Sequence, residues 1–265
     1  MTKSEYEWNM SKSKEKKIVV ANWKMNPSGI EEANEIFSAI KKSAKRAKNA
    51  TVVVCPPFTY LHSAKKLYAK SNIALGAQDV FWQNSGPYTG EISPGMLKDS
   101  GAKYVIVGHS ERRTLFDTDE IVCKKVGAAI RSGLVTVLCV GESARDGDGK
   151  YFQFLKEQIL SSLKGLQKRH LEKLIIAYEP IWAIGKDAKN SILPRDLHEI
   201  VILIRKILSD HYKAAVASRV KILYGGSVAA TNAAELLLQG NVDGFIVGRE
   251  SLSKEGFDKM LGACL

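Results

Sequence analysis

The sequence lacks several features that would assign a chain to a familiar class. No apolar run approaches the roughly 18 residues that a membrane-spanning helix needs, and the N-terminus has no apolar core typical of signal peptides. Four cysteines occur without a CxxC pair or regular spacing: Cys55, Cys123, Cys139 and Cys264. This pattern favours free thiols in a reducing cytosol over a disulfide framework or zinc site. We therefore expect a cytoplasmic protein with no membrane partner.

Sequence motifs for common cofactors are also missing. The chain has no GxxxxGK, no GxGxxG after a predicted strand, no HExxH and no His/Cys pair at metal-ligand spacing. Nothing in the sequence requires a nucleotide, a flavin or a metal. The sequence thus predicts a protein that uses no cofactor and has no metal-ligating residues.

Acidic residues are too few to balance the basic ones, and the net charge is +11. The basic residues are scattered over helix-like segments, with no aromatic-interleaved basic motif and no recognisable DNA-reading unit. We expect solvated helix faces that attract a small anionic substrate, and no nucleic-acid partner. Residues 1–17 hold five Lys and three Glu and too little apolar content to fold. We predict a disordered basic extension over 1–17 and a catalytic domain over 18–265.

Short apolar runs alternate with longer amphipathic segments through the rest of the chain. The runs carry no alternating polar face, which is typical of strands buried on both sides. Eight strand-then-helix units in about 250 residues fit a closed parallel sheet, so the predicted fold class is α/β, a single (β/α)8 barrel. The predicted strands are Ile18–Trp23, Thr51–Cys55, Ile73–Gln78, Tyr104–Gly108, Val135–Val140, Leu174–Tyr178, Val220–Tyr224 and Gly244–Gly248.

Three amphipathic segments predict particular helices. One follows Ser28, which has the spacing of a capping box with Glu31. The other two show apolar residues at helical period. Their apolar residues are Tyr151, Leu155, Ile159, Leu163 and Leu166 in one, and Leu197, Ile200, Ile204, Ile207 and Leu208, after Pro194, in the other.

The predicted sixth strand ends abruptly in Glu179, followed by Pro180. A carboxylate at the end of a buried strand is partly desolvated, which suits a general base. The alternative is a strand-end Glu paired with a nearby Lys. Both interpretations stay open on this stretch alone.

Other polar residues follow the strands at the same end of the predicted barrel, where barrel enzymes build their active sites. Lys24 follows the first strand and is flanked by Trp23 and Met25, which favours a side chain aimed into a site. His109 follows the fourth strand, and Ser110 looks like the start of a helix whose dipole would favour the neutral imidazole. His109 could equally be a satisfied core histidine. Cys139 lies within an apolar strand and is interpreted as a small buried residue.

Gly- and Ser-rich loops follow the last two strands, at Gly225–Ser227 and Gly248–Ser251. Their backbone N–H groups could cradle a phosphate. One carboxylate base, one neutral electrophile, one cation and such a cradle suit proton transfer next to the carbonyl of a small phosphorylated sugar. A non-catalytic phosphate binder and a basic interaction protein remain as alternatives.

Eight segments, in order and in register, make the chain resemble the triosephosphate isomerase family from about Ile18 to Leu252. They are Asn22–Asn26, Gly76–Gln78, Thr89–Ser93, Val107–Arg113, Cys139–Glu142, Tyr178–Gly185, Tyr224–Val228 and Asp243–Gly248. The resemblance implies interconversion of dihydroxyacetone phosphate and glyceraldehyde 3-phosphate, in glycolysis and gluconeogenesis. It also implies a homodimer, in which the loop around Thr89 reaches into the neighbour's site.

The resemblance also implies roles for individual residues. Glu179 resembles the base, His109 the electrophile and Lys24 the cation that binds substrate, a set of roles taken from the family itself. Glu111 resembles the carboxylate that partners the lysine. The implied substrate-binding residues are Asn22, Lys24, Gly185, Ser227, Gly248 and Arg249, the last four through a backbone phosphate grip.

Three segments depart from the usual family pattern. The residues that follow Gly185, over 186–193, make the predicted lid two residues longer and include Asp187. The usual Gly-Gly pair after the eighth strand is Gly248-Arg249 here. The extension 1–17 has no counterpart in the common form. We expect the first two to affect lid closure and water exclusion rather than the type of reaction.

Overall fold

The computed structural model describes residues 16–185 and 191–264, and the strands there form a closed barrel in sequential order. All neighbouring strands are parallel, and β8 pairs with β1 to close the sheet. The predicted fold is therefore confirmed. The strands are β1 Lys17–Asn22, β2 Ala50–Cys55, β3 Ile73–Ala77, β4 Ala102–Val107, β5 Val135–Val140, β6 Leu174–Tyr178, β7 Lys221–Tyr224 and β8 Gly244–Val247.

All eight predicted strands are present, with ends shifted by up to two residues. Lys17 was assigned to the extension but is the first residue of β1, where its N–H bonds the carbonyl of Asn49. The rest of the predicted extension, apart from Lys16, lies outside the described residues.

Helices follow the strands along the described chain. Their bounds are α1 Ile30–Arg46, α2 Phe58–Tyr68, α3 Pro94–Asp99, α4 Ser110–Leu115, α5 Asp119–Arg131, α6 Lys150–Ser162, α7 Pro194–Tyr212, α8 Ala214–Ala217, α9 Ala233–Leu238 and α10 Lys254–Gly262. Short 3₁₀ helices cover Lys168–Lys173, Ile181–Ala183 and Arg249–Ser251. In the two described stretches, no helix is both long enough and apolar enough to cross a membrane.

The predicted helices form, with two corrections at their ends. The capping box at Ser28 is wrong: α1 begins at Ile30, its N-cap is Gly29, and no side chain caps it. An extended backbone at Gly29 serves as the cap position, so Ser28 lies one residue too early to bond the helix. The α6 pattern runs past the helix, which ends at Ser162, although Leu163 and Leu166 are still buried. The apolar face predicted for α7 is buried as expected.

The core has two layers because strand side chains point alternately inward and outward. The interior of the barrel is filled by small and branched residues, and Cys139 lies among them at 1% exposure, as predicted. A larger layer packs between the strands and the helices. The interior residues are Val20, Val53, Cys55, Ile106, Val137, Cys139, Ile175, Ala177, Leu223 and Ile246.

A buried ionic cluster fixes the loop after β3 to the region around α4 and α5. The Lys125 ammonium is 2% exposed and bonds both oxygens of Asp79 and of Asp117 at 2.8–3.0 Å. The Arg112 guanidinium adds a second cation 2.7 Å from Asp79. Burial raises the pKa of Asp79, and Lys125 and Arg112 oppose that rise. Two cations thus face two carboxylates, which makes this burial tolerable.

Candidate active site

Glu179 follows β6, and its carboxylate lies at the bottom of a cleft at the carboxyl end of the barrel. Its N–H extends the sheet by one bond to the carbonyl of Val140, at 2.8 Å, before Pro180 ends the strand. The loops after β5 and β7 approach Glu179 closely because each has a glycine at the contact. A Cβ at Gly141 would lie 1.9 Å from the Glu179 carbonyl oxygen, and one at Gly225 would lie 2.8 Å from Glu179 Cγ. The local backbone is therefore shaped around this residue.

The Glu179 carboxylate has few partners although it is only 3% exposed. Its Oε2 accepts the Ser110 N–H at 3.1 Å, and its Oε1 lies 3.3 Å from His109 Nε2. No lysine pairs with it in residues 16–185 and 191–264, so the alternative of a Lys-paired strand-end Glu has no support there. A buried carboxylate with accessible lone pairs has the character of a base.

His109 occupies the N-cap position of α4, as the sequence indicated. Its Nδ1 accepts the Glu111 N–H at 3.2 Å, so this nitrogen carries no proton. The hydrogen-bond pattern therefore assigns a neutral ring with its proton on Nε2. Nε2 faces both Glu179 and the cleft. His109 is a buried, oriented donor rather than a core residue with both nitrogens satisfied.

Lys24 reaches the same cleft from the loop after β1. Its backbone has φ of +54°, which is uncommon for a residue with a side chain. Asn22 Oδ1 accepts the Lys24 N–H at 3.1 Å, and the Gln78 amide donates to the Lys24 carbonyl at 2.8 Å. The Lys24 ammonium bonds Glu111 Oε1 at 2.6 Å. The loop is thus held rigidly, and the ammonium group has a counter-charge.

The loops after β7 and β8 close the other side of the cleft. The Ser227 hydroxyl donates to the Ala183 carbonyl at 2.9 Å, and Arg249 Nη2 donates to the Gly185 carbonyl at 2.9 Å. Gly185 itself has φ of +77°. Residues 186–190, including Asp187 of the predicted lid, lie outside the described residues.

One cleft of about 250 Å³ brings the predicted site residues together. Each of them contributes to its lining, whereas Glu111 acts on it through Lys24. In the described part of the chain, no three His, Cys, Asp or Glu side chains are grouped as metal ligands would be. The lining residues predicted from the sequence are Asn22, Lys24, His109, Glu179, Gly185, Ser227, Gly248 and Arg249.

Two supporting features were missed by the sequence reasoning. Gln78 supports the Lys24 backbone; its position directly after β3 was the available signal. Glu142 organises a polar cluster behind Glu179, where its Oε1 accepts bonds from the Tyr178 hydroxyl at 2.7 Å, the Trp182 indole at 2.8 Å and Arg145 at 3.3 Å. Arg145 is only three positions from Glu142, whereas Tyr178 and Trp182 are 36 and 40 positions away and meet it only in the folded chain.

Cys139 lies behind the proposed base and is not suited to be a nucleophile. Burial, and then the charge of Glu179, hold its pKa well above the ordinary value. A thiol in this state stays protonated and behaves as a small apolar side chain. The acid–base groups that the sequence predicted for the cleft, Glu179, His109 and Lys24, are among the described residues that line it.

The fold and this site define a (β/α)8-barrel enzyme whose acid–base groups and glycine-rich loops face one cleft. The family model described as triosephosphate isomerase matches residues 17–264. The chain belongs to the triosephosphate isomerase family, and it is an isomerase.

Relatives match over nearly their whole lengths. A triosephosphate isomerase of Dictyoglomus thermophilum is 44% identical over 244 residues, covering 91% of this chain and 97% of the relative. One of Thermoanaerobacter pseudethanolicus is 44% identical over 248 residues, covering 92% and 98%. The crystal structure of triosephosphate isomerase from Bartonella henselae superposes with a TM-score of 0.81 at 35% identity, covering 94% of this chain and 98% of that one.

Proposed function

We propose that Glu179, His109 and Lys24 carry out the family's reaction in this chain, the interconversion of dihydroxyacetone phosphate and glyceraldehyde 3-phosphate in glycolysis and gluconeogenesis. The observation that carries the assignment of roles is the contact between Glu179 Oε1 and His109 Nε2, 3.3 Å apart at the cleft. A base and a neutral donor side by side can act on the adjacent carbon and oxygen of one substrate.

The Glu179 carboxylate removes a proton from C1 of dihydroxyacetone phosphate. The C–H electron pair forms the C1–C2 double bond, and the carbonyl π electrons move to oxygen, which gives an enediolate. Glu179 then returns the proton to C2, the hydroxyl proton on O1 is transferred to O2, and the C1–C2 π electrons form the new C2–H bond as C1 becomes the aldehyde carbonyl, which yields glyceraldehyde 3-phosphate. This pairing of a glutamate base with a neutral histidine is a known property of the family, and the surroundings of Glu179 in this chain support it.

His109 and Lys24 stabilise the negative charge that develops on the substrate oxygens. The His109 Nε2–H donates a hydrogen bond to the oxyanion, and Nδ1 keeps it in that orientation by accepting the Glu111 N–H. The Lys24 ammonium offsets the charge of the enediolate and helps to bind the substrate, and Asn22 holds the Lys24 loop.

The phosphoryl group binds to backbone N–H groups of Gly185, Ser227, Gly248 and Arg249. Two arguments support this grip. These residues line the cleft together, and backbone donation does not depend on the side chain, so Arg249 can take the place of glycine. We assign no role to a cofactor or a metal.

The chain forms a homodimer through the loop around Thr89. Apolar side chains beside the cleft and in this loop are exposed in the single chain, with Met25 at 95% and Tyr88 at 41%. Exposed apolar groups of this kind are typical of an interface. Sedimentation velocity should give the mass of a dimer, and Met25→Glu should shift it toward the monomer. A wild-type monomer at micromolar concentration would refute this assembly.

The protein acts in the cytoplasm. The four cysteines form no disulfide, which fits a reducing compartment. Fractionation of the source cells should recover the protein with the cytoplasmic fraction, and recovery elsewhere would refute this location.

A coupled assay tests the function itself. Conversion of glyceraldehyde 3-phosphate should be followed through reduction of the dihydroxyacetone phosphate formed. The wild-type protein should convert glyceraldehyde 3-phosphate with no cofactor of its own; only the coupling enzyme needs a reductant. A protein that binds the substrate without turnover would instead be a phosphate-ligand binder.

A further inference from the structure

The Arg249 side chain lies at the rim of the cleft and is held there by a hydrogen bond to a carbonyl group. Its Nη2 donates to the Gly185 carbonyl at 2.9 Å, and the residue is otherwise exposed. Within residues 16–185 and 191–264 it forms no ion pair with a carboxylate. The adjacent Glu250 also lines the cleft, and its Oε2 lies close to Gly256, where an added Cβ would be 2.2 Å away. Among the described residues, the guanidinium thus has no carboxylate in ion-pair contact with it.

Among the residues that the structure describes, a second cation lines the cleft, and it is already paired. The Lys24 ammonium contacts Glu111 Oε1 at 2.6 Å, so much of its charge is offset before a substrate arrives. Glu179 adds a negative charge to the same cleft. A phosphate dianion that enters would be repelled by Glu179, and Arg249 supplies the positive charge that compensates for this.

We propose that the Arg249 guanidinium binds the substrate phosphoryl group directly and links it to the Gly185 carbonyl. This inference rests on the proposed function and adds a side-chain contact to the backbone grip. A guanidinium carries five N–H donors in a planar fork. One of them is engaged by Gly185, and the others can meet phosphate oxygens from the same plane.

This link connects phosphate binding with the position of Gly185. Gly185 lies two residues after the Ile181–Ala183 turn and has a left-handed backbone. A phosphate held by Arg249 would fix the guanidinium plane, and with it the carbonyl of Gly185. Arg249 is therefore both a ligand of the phosphoryl group and a support for the backbone N–H that Gly185 offers.

Arg249→Ala, Arg249→Lys and a distant control, Arg169→Ala, test the proposal. The probe is inorganic phosphate, measured as a competitive inhibitor and by calorimetry. We expect Arg249→Ala to weaken phosphate binding roughly tenfold, as loss of a charge-assisted contact would. Arg249→Lys should retain part of the affinity, because it keeps the charge without the planar fork. Arg169→Ala, on the Lys168–Lys173 turn before β6, should bind phosphate normally.

Unphosphorylated glyceraldehyde separates a contact with phosphate from a general effect on the site. Arg249→Ala should raise KM for glyceraldehyde 3-phosphate while kcat/KM for glyceraldehyde stays within about twofold of wild type. Unchanged phosphate affinity in a folded Arg249→Ala protein would overturn the proposal, as would an equal loss on both substrates. Calorimetry needs no turnover, so its result stands even if the wild-type protein fails the isomerase assay, which would refute only the proposed function.

Discussion

Glu142 and Glu179 follow neighbouring strands, β5 and β6, and are almost equally buried, at 2% and 3% exposure. Their surroundings differ. One oxygen of Glu142 accepts three side-chain hydrogen bonds, and one of these comes from the Arg145 guanidinium. Glu179 accepts one backbone N–H, faces His109, contacts the Cys139 thiol and lines the cleft.

The comparison shows that two almost equally buried carboxylates can differ in their hydrogen-bond donors and in their access to the cleft. Three donors, one of them a guanidinium, occupy one oxygen of Glu142, and the residue does not line the cleft, so it serves as an anchor for Trp182 and Tyr178. Glu179 is buried, has no Lys or Arg partner among the described residues, and lines the cleft, where it can reach a substrate proton. The number of donors and the access to the cleft distinguish these two glutamates.

Glu179→Gln should have the largest effect on activity. The amide cannot accept a proton from carbon, so kcat should fall about 10³-fold, within the range for loss of a general base. Binding of inorganic phosphate should persist, and the free energy of unfolding should stay within about 1 kcal/mol, because an amide can occupy the same space. Steady-state kinetics and urea denaturation measure both. An unchanged kcat would remove Glu179 from the proposed role.

His109→Gln should lower kcat about 10²-fold, as loss of one preoriented donor to an oxyanion does. Steady-state kinetics measure the loss, and an unchanged kcat in the folded variant would argue against His109 as the donor to the oxyanion.

Glu142→Gln should lower stability more than activity, the opposite of what we expect for Glu179→Gln. The substitution removes the charge opposite Arg145 and places an amide N–H where Oε2 has no partner. The free energy of unfolding should fall by about 1–3 kcal/mol, while kcat falls by less than about tenfold. Denaturant titration compared with Glu179→Gln is the measurement. A loss of activity as large as that of Glu179→Gln would abolish the distinction between the two residues.

Deletion of residues 1–16 should have the smallest effect on activity. The barrel begins at Lys17, and no residue of the predicted site lies in the deleted part. We expect kcat/KM within about twofold of wild type. Retention on an anionic polymer, compared before and after deletion, tests the alternative of a basic interaction protein. Strong, extension-dependent retention together with poor turnover would favour that alternative.

The fold was predictable because each buried strand is a continuous apolar run, and because polar residues at strand ends mark one end of a barrel. Glu179, His109 and Lys24 were visible for that reason. The hydrogen bond between Trp182 and Glu142 could not be predicted, because it spans 40 positions and no local sequence pattern indicates it. The same holds for the cluster of Asp79, Asp117 and Lys125, whose charges look like ordinary surface residues in the sequence.

The role of Arg249 also required the fold. In the sequence it stands in for a glycine, and only the backbone N–H entered the prediction. Its hydrogen bond to Gly185, 64 positions away, places the side chain at the rim of the cleft.

Hydrogen exchange at the substrate tests the central claim most directly. Dihydroxyacetone phosphate is incubated with the protein in D₂O, and deuterium at C1 is followed by NMR. The wild-type protein should replace one C1 proton as it turns over, and folded Glu179→Gln should exchange it about 10³-fold more slowly. Exchange by Glu179→Gln at the wild-type rate would contradict the assignment of Glu179 as the base.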